Sequence, residues 1–190
     1  LRISSIDAIE IDDALVEALG DPRLAPYMHL SLQHGDDLIL KRMKRRHSRG
    51  EAIALTQRLR AARPDMAFGA DLIAGFPTET EAHFENSLRL VEECGISFLH
   101  AFPYSPRPGT PAARMPQLDK ATIKARAARL RAAGDAALVA HLARHVGSRV
   151  DALVERDSSA RLPDFTPVQL DGDLPPAGRL ARTHITGHNG

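Results

Sequence analysis

The sequence predicts an α/β fold with a parallel sheet, followed by a small all-β domain. Short apolar strands alternate with helices from the start of the chain to about residue 145, and the loops between them are short. This alternation is typical of βα units, in which each helix returns the chain to the start of the next parallel strand. From residue 146 onward the pattern changes to short runs of alternating polar and apolar residues, which favours β-structure. We therefore divide the chain into domains at 1–145 and 146–190.

Turn and cap residues set the predicted elements of the first domain. Asp36 and Thr80 are typical N-caps, and Pro64 and Gly95 follow two predicted helix ends. Helices are predicted over 12–19, 36–42, 49–62, 80–94 and 119–145. Strands are predicted to end near Ser5 and to cover 29–32, 67–74 and 96–102. In the second domain, strands are predicted over 149–155, 165–170 and 179–185.

Composition excludes several classes of protein. The 190 residues are 43% hydrophobic, which is enough for a packed core and excludes wholesale disorder. No apolar run approaches the roughly 20 residues of a membrane-spanning helix, so we expect no membrane segment. The single cysteine excludes an internal disulfide and any zinc or iron–sulfur site built from several thiolates. Because the chain begins at Leu1 without an initiator methionine, we expect it to be a piece of a longer protein.

The net charge of +1 hides a basic segment. Residues 1–40 carry eight acidic and two basic residues, whereas residues 41–63 carry nine Lys or Arg and one Glu. Such a segment is either a solvated helix face or an anion site for phosphate, carboxylate or nucleic acid. Residues 147–190 hold five Arg and six acidic residues, so the β domain lacks a basic footprint for RNA.

Three loops shaped by glycine or proline follow the predicted parallel strands, at 33–35, 75–78 and 104–109. Loops at the carboxyl ends of parallel strands meet at one edge of the sheet, where α/β proteins bind their ligands. Glycine at such positions lets a ligand approach the backbone closely. The sequence therefore predicts a binding site at this edge.

Three segments together resemble one enzyme family. They are HLSLQHGDD at 29–37, which runs into a basic stretch ending at 46, GADLIAGFPTE at 69–79, and FPYSPRPGT at 102–110. In this order and spacing they resemble the radical S-adenosylmethionine methylthiotransferases, over essentially the whole chain. The first segment is most similar to the branch that modifies threonylcarbamoyladenosine at position 37 of tRNA. Sister branches act on isopentenyladenosine in tRNA or on a ribosomal protein.

The resemblance implies the carboxyl-terminal half of a partial TIM-type radical SAM barrel, followed by a short β-barrel similar to a TRAM domain. It also implies S-adenosylmethionine and two [4Fe–4S] clusters, whose six cysteine ligands are absent from this chain. The cluster-binding part would then lie upstream, and this chain alone would be inactive. The implied partner is tRNA, and the implied location is the cytoplasm.

The resemblance also implies which residues hold the cofactor. In related radical enzymes the cofactor is held by a Gln after one strand, an Arg in the following helix and an Asp in the next strand. The matching positions in this sequence are Gln33, Arg45 and Asp71. An Arg guanidinium suits the cofactor carboxylate, and amide or carboxylate groups suit ribose hydroxyls. The remaining implied cofactor contacts are Gly75, Pro77, Ser4 and Tyr104. The basic residues expected to contact substrate are Arg42, Lys44, Arg46 and Arg107.

Two other interpretations remain open at the level of sequence. One is an α/β barrel enzyme whose basic segment binds a phosphorylated small molecule, and the other is a non-catalytic RNA-binding module. No metal site is expected. His141 and His145 have the spacing of two zinc ligands on a helix, but the intervening residues lack the Glu of an H-E-x-x-H motif.

Overall fold

The computed structural model describes residues 1–156 and 158–189. Its first domain is built on a sheet of three parallel strands in the order β1-β2-β3. The strands are β1 (Tyr27–Gln33), β2 (Ala67–Ala74) and β3 (Ile96–Pro103). The helices are α1 (Asp13–Ala18), α2 (Asp37–Arg42), α3 (Arg49–Ala62), α4 (Glu81–Glu93) and α5 (Lys120–Ala143). Two short 3-10 helices lie at Ala8–Glu10 and Ala112–Arg114.

One face of the sheet packs against the helices and forms the main core. Side chains alternate across a strand, so β1 buries Leu30 and Leu32 while the residues between them stay partly exposed. Phe68 and Leu72 of β2 lie in the same core, together with Leu59 from α3. The opposite face carries polar side chains together with Phe98, Ile73 and Phe102, and the candidate site lies there.

The second domain is a four-stranded antiparallel sheet in the order β6-β5-β4-β7. Its strands are β4 (Arg149–Val154), β5 (Ser159–Arg161), β6 (Pro167–Gln169) and β7 (Leu180–His184). Its separate small core includes Ala152, Val154 and Leu162. The predicted domain boundary at residues 145 and 146 falls between the end of α5 and the start of β4.

The parallel α/β arrangement predicted from the sequence is confirmed, and most elements agree within two residues. One expectation was wrong: the strand ending near Ser5 is reduced to a single bridge, in which Ile6 pairs with Leu30. The chain enters the 3-10 helix at Ala8 directly afterwards, which ends the pairing. The sequence also missed the three-residue strand β5. Among the described residues, no helix combines the length and apolar character needed to cross a membrane.

Candidate functional site

The uncovered face of the sheet carries a row of polar side chains. His29, Ser31 and Gln33 are partly exposed on β1, since the alternate residues point into the core. Asp71 on β2 and His100 on β3 are register partners and therefore share a face. Asp71 Oδ1 lies 3.0 Å from His29 Nε2, which places all these residues on one side of the sheet.

A groove of about 340 Å³ lies at the carboxyl edge of this face. It combines four predicted site residues with apolar side chains from β2 and its following loop. Its lining residues are Gln33, Arg42, Met43, Lys44, Arg45, Ile73, Phe76, Thr110, Pro111 and Ala112. The sequence predicted this position because loops after parallel strands meet there.

Unusual backbone conformations surround the groove. Gln33, Lys44 and Thr78 have φ angles of 65°, 58° and 68°, in the left-handed region that residues with a side chain rarely adopt. Gln33 and Lys44 line the groove, and Thr78 Oγ1 accepts a hydrogen bond from Arg42 Nη1 at 2.6 Å. Backbone strain of this kind is common at ligand sites, where the surrounding structure holds it in place.

Arg45 is held beside the groove by two contacts from its Nη2 atom. This atom pairs with the Asp7 carboxylate and donates to the carbonyl of Ser31 at 2.9 Å. The Nε atom of Arg45 is buried without a hydrogen-bond partner among the described residues. A buried unpaired N–H costs free energy, so this atom is available to an acceptor that enters the groove.

Tyr104 supplies a second buried polar atom next to the groove. Its hydroxyl has no hydrogen-bond partner among residues 1–156 and 158–189. The Tyr104 ring packs edge-on against Phe76 at 5.3 Å, and its backbone N–H donates to the carbonyl of Ala74 at 2.8 Å. Burial raises the pKa of this phenol above its ordinary value, so it remains a hydroxyl donor at neutral pH.

Glu79 fixes the glycine loop that follows β2. Both of its carboxylate oxygens accept from the backbone N–H of Gly75, at 3.1 and 3.0 Å. His34 Nε2 lies 2.9 Å from Glu79 Oε2, and Arg126 Nη1 donates to Oε1 at 2.8 Å. The side chains of Glu79 and His34 are fully buried in this network. The sequence did not predict the contact between Glu79 and Arg126, because the two residues lie 47 positions apart.

Gly75 itself requires the absence of a side chain. Its φ of 81° is in the left-handed region, and an added Cβ would lie 2.7 Å from Cγ1 of Ile123 on α5. The loop therefore approaches α5 more closely than any other residue type permits. Pro77 is buried in the same loop.

Asp71 joins a chain of hydrogen bonds below the groove. The Tyr27 hydroxyl donates to His29 Nδ1 at 3.0 Å, and His29 Nε2 donates to Asp71 Oδ1 at 3.0 Å. His100 Nδ1 contacts the same oxygen at 3.1 Å. Gly69 makes room for this chain, because an added Cβ would lie 2.3 Å from the Tyr27 hydroxyl. Asp71 thus has a histidine partner on each of the two neighbouring strands.

The other predicted site residues lie outside the groove. Ser4 and Arg107 are exposed, and Arg46 forms an exposed ion pair with Glu10 at 3.4 Å. The guanidinium groups of Arg46 and Arg107 are on exposed residues that do not line the groove. None of these placements tests a role in binding, which stays a prediction.

The single cysteine does not fit an iron–sulfur site. Cys94 is fully buried behind the helical face of the sheet, and burial raises the pKa of its thiol to about 11. Cluster ligands are thiolates, and several of them are needed. The groove, in contrast, offers groups that suit S-adenosylmethionine: cationic side chains, the Gln33 amide, apolar walls and the buried Arg45 Nε, which has no partner among the described residues.

Comparison with known proteins gives related enzymes. The radical SAM superfamily matches residues 4–91. A threonylcarbamoyladenosine tRNA methylthiotransferase of Rickettsia prowazekii is 48% identical over 188 residues, which cover 98% of this chain and 44% of that protein. A tRNA-2-methylthio-N(6)-dimethylallyladenosine synthase of Erythrobacter litoralis is 40% identical, covering 92% of this chain and 41% of that protein. The synthase of the same name from Cereibacter sphaeroides is 43% identical, and the match covers 98% of this chain and 44% of that protein.

The chain thus spans less than half the length of these curated relatives. Among solved structures, coproporphyrinogen III oxidase of Escherichia coli, a radical SAM enzyme, resembles it with a TM-score of 0.47 and 20% identity. That likeness covers 74% of this chain and 31% of the oxidase.

Proposed function

Because the chain belongs to the radical SAM superfamily, we propose that its groove binds the S-adenosylmethionine of a tRNA methylthiotransferase. The whole protein then methylthiolates C2 of threonylcarbamoyladenosine at position 37 of tRNA in the cytoplasm. The observation that carries this proposal is the groove at the carboxyl edge of the sheet, which Arg45 lines and where its buried Nε has no partner among the described residues. The Tyr104 hydroxyl, also buried without a partner in the described part of the chain, lies outside the groove lining, on a ring that packs against Phe76 of the groove wall.

The groove offers a partner for each part of the cofactor. The Arg45 guanidinium suits the carboxylate, since its Nε is free to donate a charge-assisted hydrogen bond. The Gln33 amide suits a ribose hydroxyl, because it can both donate and accept. Phe76 and Ile73 supply apolar surface for the adenine. The Glu79 carboxylate holds the Gly75 loop in place without contacting the cofactor itself.

When bound and reductively cleaved, S-adenosylmethionine supplies the deoxyadenosyl radical, and a second molecule supplies the methyl group. The residues of this chain position the cofactor and exclude water from the adenine side of the groove. Cys94 cannot hold either cluster that the family implies, so those ligands must come from outside this chain.

The exposed cations around the groove suit an RNA substrate. Arg42 and Lys44 line its outer wall, and Arg46 lies beside them at the end of α2. Their ammonium and guanidinium groups can contact phosphates of the anticodon loop, which would position adenosine 37 over the cofactor. Arg107, in the loop after β3, is exposed and is the remaining cation that we propose contacts the RNA.

Threonylcarbamoyladenosine is favoured over dimethylallyladenosine by the degree of relatedness. The relative that carries the first substrate in its name is 48% identical, and those that carry the second are 40% and 43% identical.

Mass spectrometry of tRNA nucleosides tests this proposal. In a strain that lacks the gene, the methylthio form of threonylcarbamoyladenosine should disappear and return when the complete gene is restored. Restoration with Gln33→Ala should give less of the modified nucleoside than restoration with the wild type. Loss of the methylthio form of dimethylallyladenosine instead would move the protein to the sister branch, and no loss of either would contradict the proposal.

A further inference from the structure

Four side-chain donor atoms converge where the end of α5 meets the loop between β5 and β6. His145 Nε2 lies 2.8 Å from Asp164 Oδ2 and 3.5 Å from Thr166 Oγ1. His141 Nε2 lies 3.1 Å from the same carboxylate oxygen and 2.9 Å from the same hydroxyl. The two Nε2 atoms are 3.4 Å apart. All four atoms therefore point at a common centre.

These separations match the coordination of a divalent cation. A tetrahedral zinc site with bonds of about 2.05 Å has edges of about 3.3 Å between its donor atoms. The five measured separations run from 2.8 to 3.5 Å and bracket this value. Two imidazoles and one carboxylate are ordinary protein ligands of zinc, and the neutral hydroxyl stands where other sites with three protein ligands hold a water.

We propose that His141, His145 and Asp164 bind a zinc ion, with Thr166 Oγ1 as a neutral fourth donor. The ion bridges the two domains, because His141 lies in the last turn of α5 and His145 just after it, whereas the other two ligands precede β6. His141, Asp164 and Thr166 are 4%, 7% and 1% exposed, and the His145 side chain is 24% exposed. Three of the four ligands are therefore buried, as in a structural site. This site is independent of the groove and of the proposed function.

Neighbouring groups hold the ligands in position. The backbone N–H of Thr166 donates to Asp164 Oδ1 at 3.1 Å, which leaves Oδ2 to face the histidines. The Phe98 ring packs edge-on against the His141 imidazole at 5.1 Å. Such outer contacts fix the direction of ligands in metal sites.

Arg144 opposes metal binding in the structure described here. Its Nη2 atom lies 2.8 Å from His141 Nδ1 and donates to it, so the proton of this imidazole is on Nε2. A metal on Nε2 requires that proton to be on Nδ1, and Arg144 must then turn away. Arg144 is exposed, so it can move into solvent without breaking a buried contact. Because the Arg144 guanidinium holds His141 in the wrong tautomer, we expect its removal to tighten metal binding.

Cobalt and zinc titrations of the full chain test the site. Cobalt(II) should give the visible absorption of a tetrahedral complex at one equivalent, and zinc should displace it. Asp164→Asn and His141→Gln preserve size and hydrogen bonding, and each should weaken binding by about tenfold or more. Arg144→Ala should tighten it. If wild type and Asp164→Asn bind cobalt equally, or if wild type binds none, the proposal is wrong.

Two control variants separate this site from other histidines. His184→Gln changes an exposed histidine of the same β domain, and His100→Gln changes the other histidine cluster. Neither should alter the cobalt spectrum or the affinity. Loss of the signal in either control would place the metal elsewhere and overturn the assignment. Zinc should also raise the Tm of wild type but not of Asp164→Asn, a readout that remains available if the cobalt spectrum is weak.

Discussion

Glu79 accepts two hydrogen bonds from the backbone N–H of Gly75, at 3.1 and 3.0 Å, and so fixes the loop that borders the groove. The same carboxylate is fully buried against Arg126, whose guanidinium donates to it at 2.8 Å. Breaking a buried pair leaves an uncompensated charge in the interior, which is more costly than losing a surface pair.

Glu79→Ala should therefore lower the free energy of unfolding by about 3–5 kcal/mol. The matched control is Glu85→Ala in α4, where the carboxylate pairs with Arg129 near the surface. That change should cost about 1 kcal/mol or less, because solvent screens an exposed pair. Urea unfolding measures the loss of unfolding free energy in each variant. Equal losses would contradict the claim that the buried pair stabilises the fold more than the exposed pair does.

Gly69→Ala should also destabilise the protein, since the new Cβ would lie 2.3 Å from the Tyr27 hydroxyl and 2.6 Å from His29 Nδ1. We expect a loss of about 1–3 kcal/mol from overpacking. Gly50→Ala is the control, because nothing lies within 4 Å of its added Cβ in α3. There the change should raise stability by about 0.5–1 kcal/mol through helix propensity. Thermal unfolding of the two variants should shift in opposite directions.

Cys94 should make stability fall at alkaline pH. Burial raises its pKa from 9.0 to about 11 in the folded chain, so the unfolded chain loses this proton first. The contribution is complete below pH 9 and is lost as pH rises to about 11, and it amounts to about 2 kcal/mol. Unfolding of wild type and Cys94→Ala at pH 8 and pH 11 measures it. A variant with the same pH dependence as wild type would contradict this assignment.

Much of the fold follows from local sequence. Strand β2 and helix α3 begin and end where predicted, because Pro64 stops the helix and Gly75 stops the strand. The parallel sheet and the family resemblance are also confirmed. Both could be predicted because they depend on patterns within short segments.

The missed features depend on contacts between distant residues. Arg126 contacts Glu79, which lies 47 positions earlier in the chain. Nothing in the Ala- and Arg-rich sequence of α5 distinguishes this Arg from the others in the helix. Asp164 reaches His145 across 19 positions from another domain. For Glu79 the sequence offered one signal, a carboxylate four residues after the loop glycine Gly75.

Asp7 should compete with the cofactor for Arg45. Its carboxylate pairs with Nη2 of Arg45, which limits how freely the guanidinium can accept a second anion. Asp7→Asn removes that charge and should tighten S-adenosylmethionine binding by the complete gene product, as measured by calorimetry. Weaker binding with unchanged thermal stability would mean that Asp7 orients Arg45 rather than competing for it.

Calorimetric binding of S-adenosylmethionine to Arg45→Met and Arg46→Met, in the complete gene product, tests the central claim most directly. Arg45 lines the groove with an unpaired Nε, whereas Arg46 forms an exposed ion pair with Glu10. Losing a charge-assisted hydrogen bond costs about 1.5–3 kcal/mol, so Arg45→Met should bind at least about tenfold more weakly. Arg46→Met should bind as wild type does. Equal affinities for the two folded variants would contradict the assignment of the groove to the cofactor.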